Sequence, residues 1–500
     1  MVKSINLKSL AKNILIASLV AVCAALTFRL WFGGFGMQNL FSASSNVELS
    51  MGTNELTEMM IHPVRIIVKA EKSEGHNQAN ELGQIAEIEE FTQFNTMYAP
   101  SSENPHLILG MRIISEVLQN GQYDNSLNSG LEEFHSEFSW LVGGENEIII
   151  FEYNFPMPAD IFGEHFGQHQ NMLSTRVSSF DMLVISHGKD MLLLAFTDRE
   201  NMRIHYFSVE NSLDFEVPET PETAVRYYLS TERFPDSFGS ISFIPAWEDI
   251  LYKNTIKPQA PYTDMRLNTI EPFVHFFFPN PGAMFSTTIN NLFTYRDNFR
   301  TVKFYPNGVM MFSTMPSGRD TDNTVSFTDA YFAALNMVQL DIESMQSLGA
   351  PMNPIFLSGF QRVENENEWF FFFDYVSSNF PIVFSDDFAT EIGMNHAIEI
   401  RVRNNIVVNY RRLLKNFYPD KNNNPESPSP AANRNFEIIL GILPTIPGIS
   451  EDLLHHAYLQ YMLTSSDIGE IILHWCISFV NNTSFTIPAY FAESEVTDGY

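Results

Sequence analysis

Three apolar-rich runs follow one another at residues 180–209: Phe180-Asp181-Met182-Leu183-Val184-Ile185-Ser186-His187, then Asp190-Met191-Leu192-Leu193-Leu194-Ala195-Phe196, then Met202-Arg203-Ile204-His205-Tyr206-Phe207-Ser208-Val209. Each is of strand length, and only Gly188-Lys189 and Asp198-Arg199-Glu200-Asn201 interrupt them. Connections that short join antiparallel neighbours, because a parallel crossover needs a dozen or more residues. An antiparallel meander is therefore expected here. Upstream, Glu147 to Phe155 reads as a further strand and His106 to Leu118 as a helix ended by Asn120-Gly121. From Asn80 to Phe94, Leu82, Ile85, Ile88, Phe91 and Phe94 recur every three residues among glutamates, which predicts an amphipathic helix. Pro63 to Val68 reads as a first strand. Helices and antiparallel strands in one unit define an α+β fold.

The same style continues downstream. Val217 to Phe238 reads as a connector around one short helix. Thr301 to Phe304, Asn307-Gly308 and Val309 to Ser313 form a hairpin pattern whose two turn residues are expected at positive φ. Phe327 to Met345 follows as a helix. In Trp369-Phe370-Phe371-Phe372-Phe373-Asp374-Tyr375 both faces are aromatic, so a central strand is expected, turning through Ser377-Ser378-Asn379 into Phe380 to Phe384. His396 to Val402 and Ile406 to Leu413 pair around Arg403-Asn404-Asn405. Pro419 to Asn433 reads as an exposed loop and Glu451 to Met462 as a helix, whereas Glu470 to Val480 fits helix or strand.

At the other end of the chain, Ile14 to Phe32 is one apolar segment behind Lys3, Lys8 and Lys12. As a helix its nineteen residues span about 28 Å, close to bilayer thickness. Arg29, Trp31 and Phe32 suit the outer interface, and the lysines place the amino terminus inside. A cleaved signal peptide is the rival reading. The apolar core is long for one, and Ser42 and Ser44, which could serve a cleavage site, lie well past it. Val22 is too bulky before Cys23 for a lipidation site. Asn13, Ala17, Ala21 and Ala25 share one face of the helix, where small residues allow a second membrane helix to approach. The alternative is that alanine is simply common in such helices.

These readings divide the chain into a cytoplasmic stub (1–12), a transmembrane helix (13–32), a tether (33–60), a first α+β domain (61–214), a central one (239–349) and a carboxy-terminal one (350–500). A length of 500 residues with 45% hydrophobic content and 44 phenylalanines supplies ample core. The formal charge of -30 disfavours nucleic acid and anionic surfaces. Cys23 and Cys476 are the two cysteines, so no disulfide framework or cysteine metal site is expected.

Chemical motifs are sparse. His165 and His169 stand i and i+4 beside Glu164, but zincins begin His-Glu, and Gly163 and Gly167 weaken the helix. Asp320-Thr321-Asp322-Asn323 opens like a calcium loop, yet Val325 occupies the turn position that needs glycine. Asp386-Asp387 are adjacent on a strand or turn and point apart. His455-His456 and His474 have no evident nucleophile or orienting partner. No catalytic residue, cofactor or metal is therefore assigned.

The basic stub, a helix ending Arg29-Leu30-Trp31 and an outer α+β region resemble the YycH (WalH) family, accessory proteins of an essential cell-wall sensor histidine kinase in Gram-positive bacteria. Phe155-Pro156-Met157-Pro158 before Ile161-Phe162, Leu292 to Arg300 before the Asn307-Gly308 hairpin, and Phe380 to Phe384 with Ile398 to Arg412 carry the likeness. The related YycI-type proteins share similar carboxy-terminal architecture. The resemblance implies a non-enzymatic, single-pass protein of the cell membrane with its bulk extracellular. It implies packing of the membrane helix with the kinase and a YycI-type partner, and the face of Asn13, Ala17, Ala21 and Ala25 is the expected contact. An anchored binding module for wall or lipid-linked material is the alternative, and a hydrolase with a dispersed site a third.

Overall fold

A computed structural model describes residues 61–69, 92–101, 103–128, 130–143, 146–164, 166, 170–187, 190–210, 218–220, 224–246, 255–259, 267–315, 325–347, 352–363, 367–419, 436–445, 453–464, 471–481 and 483–489. The expected membrane helix with Asn13, Ala17, Ala21 and Ala25, and the tether, lie outside them. Among the described residues no helix is long and apolar enough to cross a membrane. The predicted α+β class with antiparallel sheets and packed helices is what the fold shows.

The described strands form two sheets. The first holds β1 (Arg65–Lys69), β2 (Gln93–Tyr98), β3 (Gln122–Asn128), β4 (Glu147–Pro158) and β5 (Ser179–His187). It also holds β6 (Met191–Asp198), β7 (Arg203–Glu210), β8 (Val225–Leu229) and β9 (Phe243–Pro245), in the order β3-β7-β6-β5-β4-β1-β2-β8-β9. The meander of β5, β6 and β7 forms as its turns dictate, antiparallel throughout. Helix Pro105–Asn120 covers β5 to β7, capped by Asn104. It lies close: a Cβ on Gly110 would sit 2.4 Å from Cζ of Phe151. Gln93–Tyr98 is a strand, so the helix expected to run through Phe94 does not reach that residue, while residues 80–91 lie outside the described set. Pairing on both edges, with β1 and β8, overrides the three-residue period there.

The second sheet begins with β10 (Thr255–Gln259), β11 (Phe285–Ile289), β12 (Leu292–Arg296), β13 (Arg300–Phe304) and β14 (Val309–Thr314). β15 (Ile355–Val363), β16 (Glu368–Ser377), β17 (Phe380–Phe384), β18 (Ile398–Arg403) and β19 (Ile406–Leu413) follow. β20 (Asn416–Pro419), β21 (Leu454–Leu463), β22 (Ile471–Phe479) and β23 (Ser484–Pro488) complete it. The order is β11-β12-β13-β14-β19-β18-β16-β17-β21-β22-β10-β20, with β15 on β16 and β23 on β22. Aromatic β16 is central, as its composition requires, and helix Phe327–Ser347 packs on it and on β18 and β19. That helix buries Asp341 against Arg412, and Tyr410 donates to the same carboxylate.

Two local expectations change. The hairpin between β13 and β14 forms, but only Gly308 has positive φ, at 87°. Pro306 fixes φ near the first central position of a type I turn, so Gly308 N bonds Tyr305 O at 3.0 Å and glycine takes the left-handed residue after it. Residues 454–463 are strand β21 rather than the expected helix. Leu and Ala favour a helix locally, yet Ala457, Leu459, Tyr461 and Leu463 alternate into the core between β17 and β22. Strict alternation of Ile471, Leu473, Trp475, Ile477 and Phe479 makes β22 a strand as well.

The sheets meet where β4 faces β15, with Phe155 and Phe360 rings edge to face at 5.3 Å. A short parallel bridge from Phe238 to Leu454 ties the other side.

Candidate functional site

A cavity of about 320 Å³ opens at this junction. One wall comes from the first sheet. Arg65, near the start of β1, stands directly across from Glu152 on β4 and from Tyr98 on β2. Its Nε donates to Glu152 Oε2 and its Nη1 to Tyr98 Oη at 3.2 Å. Arg199 sits in the β6–β7 turn and folds back. Its Nη1 donates to Glu152 Oε1 at 2.7 Å and its Nε to Asp181 Oδ2 at 2.6 Å. Arg65, Glu152 and Arg199 are each buried to 6% exposure or less. Two arginines and two carboxylates thus cancel in a place where an unpaired charge would be very costly.

The protonation states follow. Burial alone would raise the Glu152 carboxyl, but Arg65 and Arg199 outweigh it and hold it at about 2. Burial pushes Asp181 up despite Arg199. The second sheet supplies the facing wall: His455, His456, Tyr458 and Gln460 of β21, with Asp374 of β16. The two histidine rings lie 4.0 Å apart. Burial, then the charges of Arg199 and Arg65 and the His455 ring, drive His456 well below its ordinary range, so it is neutral. Beside Asp374, burial lowers His396, but its 2.9 Å bond to Asp374 Oδ2 more than reverses this and the ring is raised.

Aromatic faces of Tyr98, Tyr153, Phe155 and Phe356 line the space between these polar groups. The cavity offers guanidinium donors, neutral imidazoles and the Gln460 amide beside ring faces, a combination suited to a small, hydrogen-bonding, uncharged or zwitterionic ligand. Ser242 Oγ accepts from Ala457 N and Ser478 Oγ from His456 N, which ties both hydroxyls to the β21 backbone. A smaller hollow of about 200 Å³ between Phe277, Phe312, Met337 and Leu340 is mainly apolar.

The sequence-level candidates are scattered. Glu164 ends helix Ala159–Glu164, while His165, His169, Asp320 and Asp322 lie outside the described residues. Asp386 and Asp387 occupy the exposed first turn of helix Asp386–Ile392, behind the Ser385 cap, rather than a strand or turn. Carboxylates there complement the helix dipole. Among the described residues no three His, Cys, Asp or Glu side chains converge as metal ligands. His455 and His456 face Arg65 and Arg199 of the distant first sheet across the cavity, and those positive charges disfavour protonation of the His456 ring rather than orient it. One signal was present, in that Arg65 and Glu152 each interrupt an otherwise apolar run, the mark of a buried ion pair.

No protein-family model matches this chain, and no curated protein matches it. Among solved structures, the crystal structure of YycH from Bacillus subtilis is similar at 12% identity, with 86% of this chain and 96% of that one covered and a TM-score of 0.43. An uncharacterized protein from Eubacterium rectale is similar at 11% identity over 48% of this chain and 82% of its own, with a TM-score of 0.28.

Proposed function

We propose that this chain is a single-pass membrane protein whose extracytoplasmic α+β body modulates a cell-wall sensor histidine kinase, without catalysis of its own. The observation that carries the proposal is the uncharged run Ile14 to Phe28 behind Lys3, Lys8 and Lys12. The family resemblance of the quoted motifs supports it. Packing of Ala17, Ala21 and Ala25 against the kinase and a YycI-type helix would act by favouring one kinase state, which requires tighter contact in that state than in the other. Co-purification of the kinase is expected to be lost in Ala21→Leu and kept in Leu19→Ile on the opposite face. Unchanged kinase output after scrambling residues 13–32 would overturn the reading.

A second reading, an anchored binding module, is favoured by the cavity, where polar groups and aromatic faces converge. Soluble peptidoglycan fragments are then expected to raise the melting temperature of the protein, and Tyr458→Ala to remove the effect. No shift with any fragment would count against it.

A further inference from the structure

Among the described strands, β11 ends the second sheet and pairs with β12 alone. All five of its residues are exposed, Phe285 at 66% and Ile289 at 68%. Sheet edges in soluble proteins are commonly guarded by lysine, proline, a bulge or a covering loop. Here the register with β12 is unbroken, and Phe285-Ser286-Thr287-Thr288-Ile289 holds no charge and no proline, in a chain of formal charge -30. The free edge is thus a strand template with nothing in its own sequence to repel a partner.

The sequence of the strand names the partner. Laid antiparallel on a second copy about Thr287, Phe285 falls opposite Ile289, Ser286 opposite Thr288, and Thr287 opposite itself. Apolar meets apolar and hydroxyl meets hydroxyl at every position, the pairings that stabilise cross-strand neighbours. Successive side chains alternate, so both Phe–Ile pairs and the central Thr–Thr pair share one face of the joined sheet. We infer that β11 is the seam of a two-fold symmetric dimer of this chain, in which the second sheets of two copies become one continuous sheet. The interface is isologous and closed, so assembly stops at two. The inference is independent of the proposed kinase partner.

The full chain in detergent is expected to sediment as a dimer whose fraction rises with concentration. Thr287→Lys places like charges on the two-fold axis, and its mass should fall to one copy while its circular dichroism is unchanged. In a Cys23→Ser, Cys476→Ser background, Thr287→Cys should cross-link to itself on mild oxidation, because directly opposed residues lie about 4.5–5.5 Å apart at Cα, within disulfide reach. Phe285→Cys should not, since its two copies stand four residues apart along the seam, roughly 13 Å. A monomer at all concentrations, a Thr287→Lys variant that remains dimeric, or equal cross-linking at both positions would overturn the assignment.

Discussion

Glu152 accepts from two arginines inside the junction, and its removal leaves Arg65 without a carboxylate and Arg199 with Asp181 alone. Glu152→Gln is expected to cost about 3–5 kcal/mol, the usual penalty for breaking a buried ion pair, read from the denaturant midpoint. Acid acts on the same group. Its carboxyl is held at about 2 against an ordinary 4.5, so it contributes stability above 4.5 that is lost as pH falls toward 2. His456 is depressed from 6.5, so its contribution is present above that value and is lost on further acidification. His396 is raised and has the opposite sign, stabilising below 6.5 and losing that contribution as pH rises. Denaturant midpoints followed against pH should therefore fall on acidification, and His456→Gln should flatten the first part of that fall. An unchanged slope would show that His456 is already protonated in the folded protein.

At the scale of elements, short-range chemistry decided what sequence could show. β5 to β7 were legible because two brief polar turns separate three apolar runs. The Ser378-Asn379 and Asn404-Asn405 hairpins were legible too, and all four residues have positive φ, from 47° to 64°. β21 was not, because its leucines and alanine suit a helix and its strand state depends on partners distant in sequence, β17 among them. Asn405→Val should cost about 1–2 kcal/mol, since a β-branched residue resists the left-handed region, whereas Asn405→Gly should be neutral or stabilising. Gly110→Ala tests the helix contact over β5 to β7. Its methyl collides with the Phe151 ring, and a loss of about 1–3 kcal/mol is expected in thermal melts.

For the whole molecule, the core runs through the junction: one buried cluster includes Ile66, Phe151 and Phe196 of the first sheet and Phe371, Ile400 and Trp475 of the second. Far- and near-ultraviolet circular dichroism should therefore report a single coincident transition, and two separated transitions would show that the sheets unfold independently. The same geometry explains why the site was hidden in sequence. Its walls are drawn from Arg65, Glu152, Asp181, Arg199, Asp374, His455, His456, Tyr458 and Gln460, which share no local motif. Only the two charges interrupting apolar strands hinted at it, and neither reveals what lies opposite.

Among the described strands every pair is antiparallel except β17 with β21, where Ile382 lies beside Tyr461. That ladder closes a chain loop of roughly eighty residues, a larger entropy loss than the neighbouring hairpins require. β16 to β19 can zip locally in the early steps of folding, while β21 must wait for a long-range encounter. The histidine wall cannot form until residues 454–463 reach β17, and a nascent chain halted before residue 454 would present an unfinished sheet edge to chaperones and proteases.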